Sequence, residues 1–162
     1  MENASDYEAM SELMWCGSIS HNGMTGLGAV NDWAPHQLGH ELSGKFDVAH
    51  GASLSAIWGA WANFCYQTKP QRFVRFADKV WGINVQNRDA NEVALEAIQK
   101  TTSYFKSLDM PICFTDLTIG VQSEEMLREL AKRCTFYGKR TIGGFKVLNE
   151  EDIYQIYKLA NI

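Results

Sequence analysis

Strand-like sequence is nearly missing from this chain. Only Ile112–Ile119 carries the β-type residues of a strand, and a lone strand has nothing to pair with, so the segment reads as loop. A strand-turn-helix glycine motif for a pyrophosphate is also lacking. The stretch Gly23-Met-Thr-Gly-Leu-Gly28 follows a helical pattern, and its glycines fall in the wrong order for a dinucleotide fingerprint. It reads as helix end and loop. There is no basic run, and a net charge of −4 gives neither nucleic acid nor an anionic membrane an electrostatic reason to bind. The longest uncharged run, Val48 to Thr68, is broken by His50, Ser53, Ser55, Asn63 and Gln67, so it reads as a buried helix and not a membrane span. The opening Met1-Glu-Asn-Ala-Ser-Asp is acidic and polar and shows no signal pattern. Cys16, Cys65, Cys113 and Cys134 are far apart with no C-x-x-C. They make no disulfide scaffold, and reduced thiols in a cytoplasm are expected.

What is present is helix. At 162 residues, 46% hydrophobic and 21% charged, the chain is long enough to bury one real core. Ser5 or Asp6 can cap a helix from about Tyr7 to Ser20. Leu54, Ile57, Trp58, Trp61 and Phe64 make Ala52–Tyr66 apolar nearly all round, the mark of a central helix, with Gly59 a place for a bend. Pro70 opens a helix that Gly82 ends. Asp89-Ala-Asn-Glu92 resembles a capping box and starts a helix that must end before Pro111. Ser123 caps a segment with early Glu and late Lys/Arg, in line with the helix dipole, and Asn149 caps a last helix through Leu159. Six or seven helices with short links predict an all-α, bundle-like domain.

Three of the four histidines lie between Trp33 and Ile57. His36 and His40 are four apart and share one helix face. Pro35 suits that helix's first turn and Gly44 is its expected stop, with Lys45–Ala49 as a link. His50 returns at the start of the next apolar segment. A helix-borne pair plus a third imidazole is a metal-site pattern, although a helical histidine is otherwise a surface or satisfied core residue. Asp32 extends the string to Asp-x3-His-x3-His as a further donor. Alternatively, since Pro35 leaves it outside the regular turns, Asp32 is a helix N-terminal acid or cap. His21 lies off the motif and reads as structural or exposed.

The string His36-Gln-Leu-Gly-His40-Glu-Leu-Ser, then Val-Ala-His50-Gly, resembles the histidine motif of the iron-containing (group III) alcohol dehydrogenases, most closely their NADPH-dependent butanol dehydrogenase branch. The flanks agree: Asn31-Asp32-Trp33, Arg75-Phe-Ala-Asp-Lys-Val-Trp81-Gly-Ile, and Gly143-Gly144-Phe145-Lys. The likeness covers nearly the whole chain.

That resemblance implies that His36 and His50 bind a catalytic divalent metal, Fe2+ or Zn2+. His40 would be the catalytic side chain beside nicotinamide and substrate. The complete enzyme would interconvert primary alcohols and aldehydes with NAD(P)H. It implies a single helical metal-binding domain over 1–162, resembling the C-terminal domain of the dehydroquinate synthase-like fold, with the N-terminal cofactor domain absent and no cofactor-binding residue in this chain. The family's other metal donors, an Asp and a His four apart, would lie upstream of Met1. The isolated chain is therefore expected to be inactive and to hold metal weakly or not at all. It would find its partner in the missing cofactor domain or in a second copy, most simply as a dimer. Two other readings stand beside this one. One is a non-catalytic truncated helical module with residual metal binding. The other is a different superfamily member, such as a glycerol dehydrogenase or dehydroquinate synthase, to which the surroundings of Trp33 and His40-Glu41-Leu42 are less similar.

Overall fold

The computed structural model describes residues 5–162. The polar start at Met1–Ala4, where no signal pattern is read, lies outside the described residues. Seven α-helices follow in order: α1 (Tyr7–His21), α2 (Ala34–Phe46), α3 (His50–Cys65), α4 (Pro70–Trp81), α5 (Ala90–Ser107), α6 (Glu124–Cys134) and α7 (Glu150–Ala160). No strand forms among the described residues, and Ile142 and Leu148 make a single antiparallel bridge. Ile112–Ile119 is turns and bends, as its isolation predicts.

The chain divides into two compact units at Asn31. In the first, the Asp6 carboxylate caps α1 by accepting from the Ala9 N–H at 3.0 Å. No residue of α1 is buried, and Tyr7, Leu13, Met14 and Trp15 are exposed. Gly23 then takes a left-handed turn into a short 3-10 segment, Met24–Gly26.

The second unit, from Asp32 to Ile162, is organised on α3. That helix packs against α2, α5 and α7, while α4 lies on α5 and α6 on α7. The main core gathers Leu38 and Leu42 of α2, Ile57 and Trp61 of α3, Leu127 and Leu130 of α6, and Ile153, Ile156 and Tyr157 of α7. Each such side chain stabilises the fold by about 1.5–3 kcal/mol. A smaller cluster of Ala77, Ile83, Val93 and Ala97 closes α4 against α5.

The caps follow the sequence. Ser123 accepts from the Met126 N–H, and Asn149 and Asp152 form a full reciprocal capping box. At α5 only half a box is present: Asp89 accepts from Asn91 and Glu92 N–H groups. Gly82 ends α4 at φ 60°. One expected boundary moves. The histidine helix does not stop at Gly44 but runs to Phe46, with Asp47 left-handed at φ 54°. A mid-helix glycine costs only about 1 kcal/mol, and Phe46 packs against the core to hold the last turn. Gly59 marks a close approach: a Cβ there would stand 2.8 Å from Cγ2 of Thr102 on α5.

Cys65 and Cys134 are fully buried. Desolvation pushes both thiols up from 9.0 to about 12. Burial likewise holds the Tyr157 hydroxyl well above its usual 10.0. Above about pH 9 the unfolded chain releases these protons while the native chain keeps them, so stability falls as pH rises. The urea midpoint is expected to decline between about pH 9 and 12, and to decline less steeply in the Cys65→Ala/Cys134→Ala double variant.

Candidate metal centre

The histidines are placed by the crossing of two consecutive helices. Pro35 occupies the first turn of α2, where no donor is needed, and His36 and His40 then project one turn apart. Three residues, Asp47–Ala49, separate α2 from α3, and His50 is the first residue of α3. The two helices can lie close because Gly39 faces Ser53. A Cβ at Gly39 would meet Ser53 Oγ at 2.8 Å and Leu54 Cδ2 at 3.0 Å. The Ser53 hydroxyl is itself buried, donating to the His50 carbonyl at 2.8 Å and accepting from Ser43 Oγ at 3.1 Å.

All three imidazoles converge. One ring nitrogen from each of His36, His40 and His50 lies within 4.8 Å of the others. The closest pair is His36 Nδ1 and His50 Nε2, 3.2 Å apart. Two neighbouring nitrogens on one tetrahedral or octahedral ion, each about 2.0–2.1 Å from it, stand roughly 2.8–3.4 Å apart. This pair has the spacing of two donors to one ion. His40 relates differently to its neighbour: its ring stacks on His50 with centroids 4.8 Å apart and an interplanar angle of 27°. His40 is exposed, and its ring nitrogen belongs to the same cluster of three.

Asp32 does not join the cluster. Its Oδ1 accepts from the Ala34 N–H at 2.7 Å and its Oδ2 from the Phe145 N–H at 2.8 Å. It is the acid at the helix start, and it also carries a tie 113 residues along the chain. Two further ties that no local pattern announces hold α2. The buried Tyr157 hydroxyl donates to the Leu38 carbonyl at 2.9 Å, and Arg133 of α6 pairs with Glu41 at 3.0 Å. Beside His36 opens a mostly apolar cavity of about 440 Å³, walled by Leu54, Trp58, Phe105 and Met110. His21 sits exposed at the end of α1.

Comparison with known proteins covers nearly the whole chain. The profile of the Fe-containing alcohol dehydrogenase family, C-terminal, matches residues 1–161. The chain is 36% identical over 159 residues to NADH-dependent butanol dehydrogenase A of Clostridium acetobutylicum, covering 98% of this chain and 40% of that protein. It is 27% identical over 160 residues to the NADPH-dependent aldehyde reductase YqhD of Escherichia coli, covering 99% and 40%. The crystal structure of NADH-dependent butanol dehydrogenase A from Thermotoga maritima superposes with a TM-score of 0.89 at 30% identity, over 99% of this chain and 41% of that one. The chain thus spans about two-fifths of the length of these relatives.

Replacing Gly39 by Val forces α2 off α3. The variant is expected to lose about 1–3 kcal/mol of stability in urea unfolding. It is also expected to lose the NMR cross-relaxation between the His36 and His50 rings that their 3.2 Å approach predicts for the wild type.

Proposed function

The chain belongs to the Fe-containing alcohol dehydrogenase family, and on that premise we propose that it forms the metal-holding part of an NAD(P)H-dependent oxidoreductase interconverting primary alcohols and aldehydes. The observation that carries this reading is the 3.2 Å approach of His36 Nδ1 to His50 Nε2. These two residues would hold a divalent ion, Fe2+ or Zn2+, through one neutral imidazole nitrogen each. When bound, such an ion supplies Lewis acidity toward an alcohol or aldehyde oxygen. Hydride chemistry belongs to the nicotinamide, NADH or NADPH, since relatives named for both occur. His40, exposed to solvent and one turn from His36, is the side chain we assign to proton transfer beside the nicotinamide. The apolar cavity next to His36 accepts hydrocarbon in preference to a polyol, which favours simple alcohols over glycerol.

Two imidazoles are an incomplete donor set, because such ions take four or more ligands. Residues 1–162 are read as one helical metal-binding domain that reaches full competence only with donors and a nicotinamide site from elsewhere. The incomplete donor set also favours a second reading, a non-catalytic module that retains weak metal binding. We place the protein in the cytoplasm as a homo-oligomer, most simply a dimer. No described helix is long and apolar enough to cross a membrane.

Three measurements test this. Zn2+ titrated calorimetrically into the chain is expected to bind weakly at one site. Binding should be lost in His36→Ala or His50→Ala and largely kept in His40→Ala, the residue this reading assigns to proton transfer and not to the metal. With Zn2+ or Fe2+, butanal and NADH or NADPH, the chain is expected to show no turnover. Positioning of the cofactor supplies roughly 7–11 kcal/mol of such a barrier, and no residue here is assigned to it. Metal-dependent coenzyme oxidation lost in His50→Ala would overturn the incomplete-site reading. Light scattering is expected to give twice the 18.3 kDa chain mass, and a monodisperse monomer at high concentration would exclude the dimer.

A further inference from the structure

We infer that Asp32 is a positioning residue for the histidine pair, acting through two backbone N–H groups and not as a ligand. The inference rests on the reading of His36 and His50 as metal donors and adds a residue to it. Both carboxylate oxygens are engaged, Oδ1 by Ala34 N–H and Oδ2 by Phe145 N–H. The first bond fixes the start of α2, one turn ahead of His36. The second reaches a turn built to receive it. Gly143 has φ +92°, and a Cβ there would collide with the Lys146 carbonyl oxygen, so a side chain at 143 would spread the turn. Phe145 carries the connection onward, its ring meeting Trp61 of α3 edge-on at 6.1 Å and Phe73 of α4 at 5.6 Å. Asp32 therefore joins the helix bearing His36 to the body of the helix bearing His50 by a route separate from the Asp47–Ala49 link. The other polar ties on α2, at Leu38, Glu41 and Ser43, lie farther along the helix, so the Asp32 tie is the one that holds its first turn, where His36 stands. Charged hydrogen bonds to backbone N–H groups are the stronger kind, and only a carboxylate offers one acceptor to each.

The test measures Zn2+ affinity of the full chain by calorimetry in wild type, Asp32→Ala, Asp32→Asn, Asp89→Ala and His50→Ala. Asp89 also caps a helix through two N–H groups, but at the start of α5, so its variant reports on lost stability alone. Asp32→Ala is expected to weaken Zn2+ about tenfold. Asp32→Asn, keeping one acceptor oxygen, is expected to fall between Ala and wild type. Asp89→Ala is expected to leave affinity unchanged while lowering the melting temperature. Asp32→Ala binding within twofold of wild type, or Asp89→Ala weakening binding as much, overturns the inference. Failure of wild type to bind Zn2+, or full binding by His50→Ala, sinks the metal reading instead. The positioning claim is then decided without metal. Ring-to-ring cross-relaxation between His36 and His50 that survives undiminished in folded Asp32→Ala overturns it, and its loss there supports it.

Discussion

The close crossing of α2 and α3 is the constraint on which the histidine centre depends. His36 and His50 are fourteen residues apart in sequence, and nothing local draws their rings together. They meet because Gly39 has no side chain where Ser53 and Leu54 press against it. Ser53 can sit in that dry contact because its hydroxyl is bonded on both sides. Packing density and imidazole geometry are therefore one problem here, and a change of a single methyl group in the crossing is felt at the ring nitrogens.

The surroundings divide the work. The core that α2 and α3 share is apolar and fully buried, with Leu38, Leu42, Ile57 and Tyr157 at its centre. The polar ties are few and each has a distinct target on α2: its start through Asp32, its middle through Tyr157, and its flank through Glu41 and Arg133. A helix held at three points by groups from α6, α7 and the turn at Gly143 has little freedom to slide, which is what a site made of side chains needs from its scaffold.

The sequence makes part of this readable and hides the rest for a physical reason. Caps at Asp6, Asp89, Ser123 and Asn149 were legible because a cap bonds to its own chain two or three residues on. The all-α class followed from one unpartnered β-type stretch. The meeting of the three histidines was legible from their spacing together with the flanking residues that carry the family likeness. The end of α2 was misread at Gly44, because Phe46 anchors the last turn through tertiary packing that propensity does not register. The capping box at Asp89 proved one-sided for a similar reason, since a reciprocal bond depends on a rotamer and not on residue type alone. Asp32 was visible as a helix-start acid, while its second bond, to Phe145, was not. Contacts 92, 113 and 119 residues apart have no period in the chain. The pair Gly143-Gly144 enters the sequence reading only as a flank of the family likeness, although a glycine pair is also where a tight turn can form.

The tie from Asp32 to Phe145 also sets an order of events during synthesis. The two helices that bring the imidazoles together are neighbours in sequence, and closing the short loop between them costs little entropy. They can pair while most of the chain is still being made. The turn that Asp32 grips emerges more than a hundred residues later, and long-range contacts of that separation are the slow ones to form. The bond from Asp32 therefore cannot close until the C-terminal turn has been made, and the final placement of the histidine hairpin waits on it.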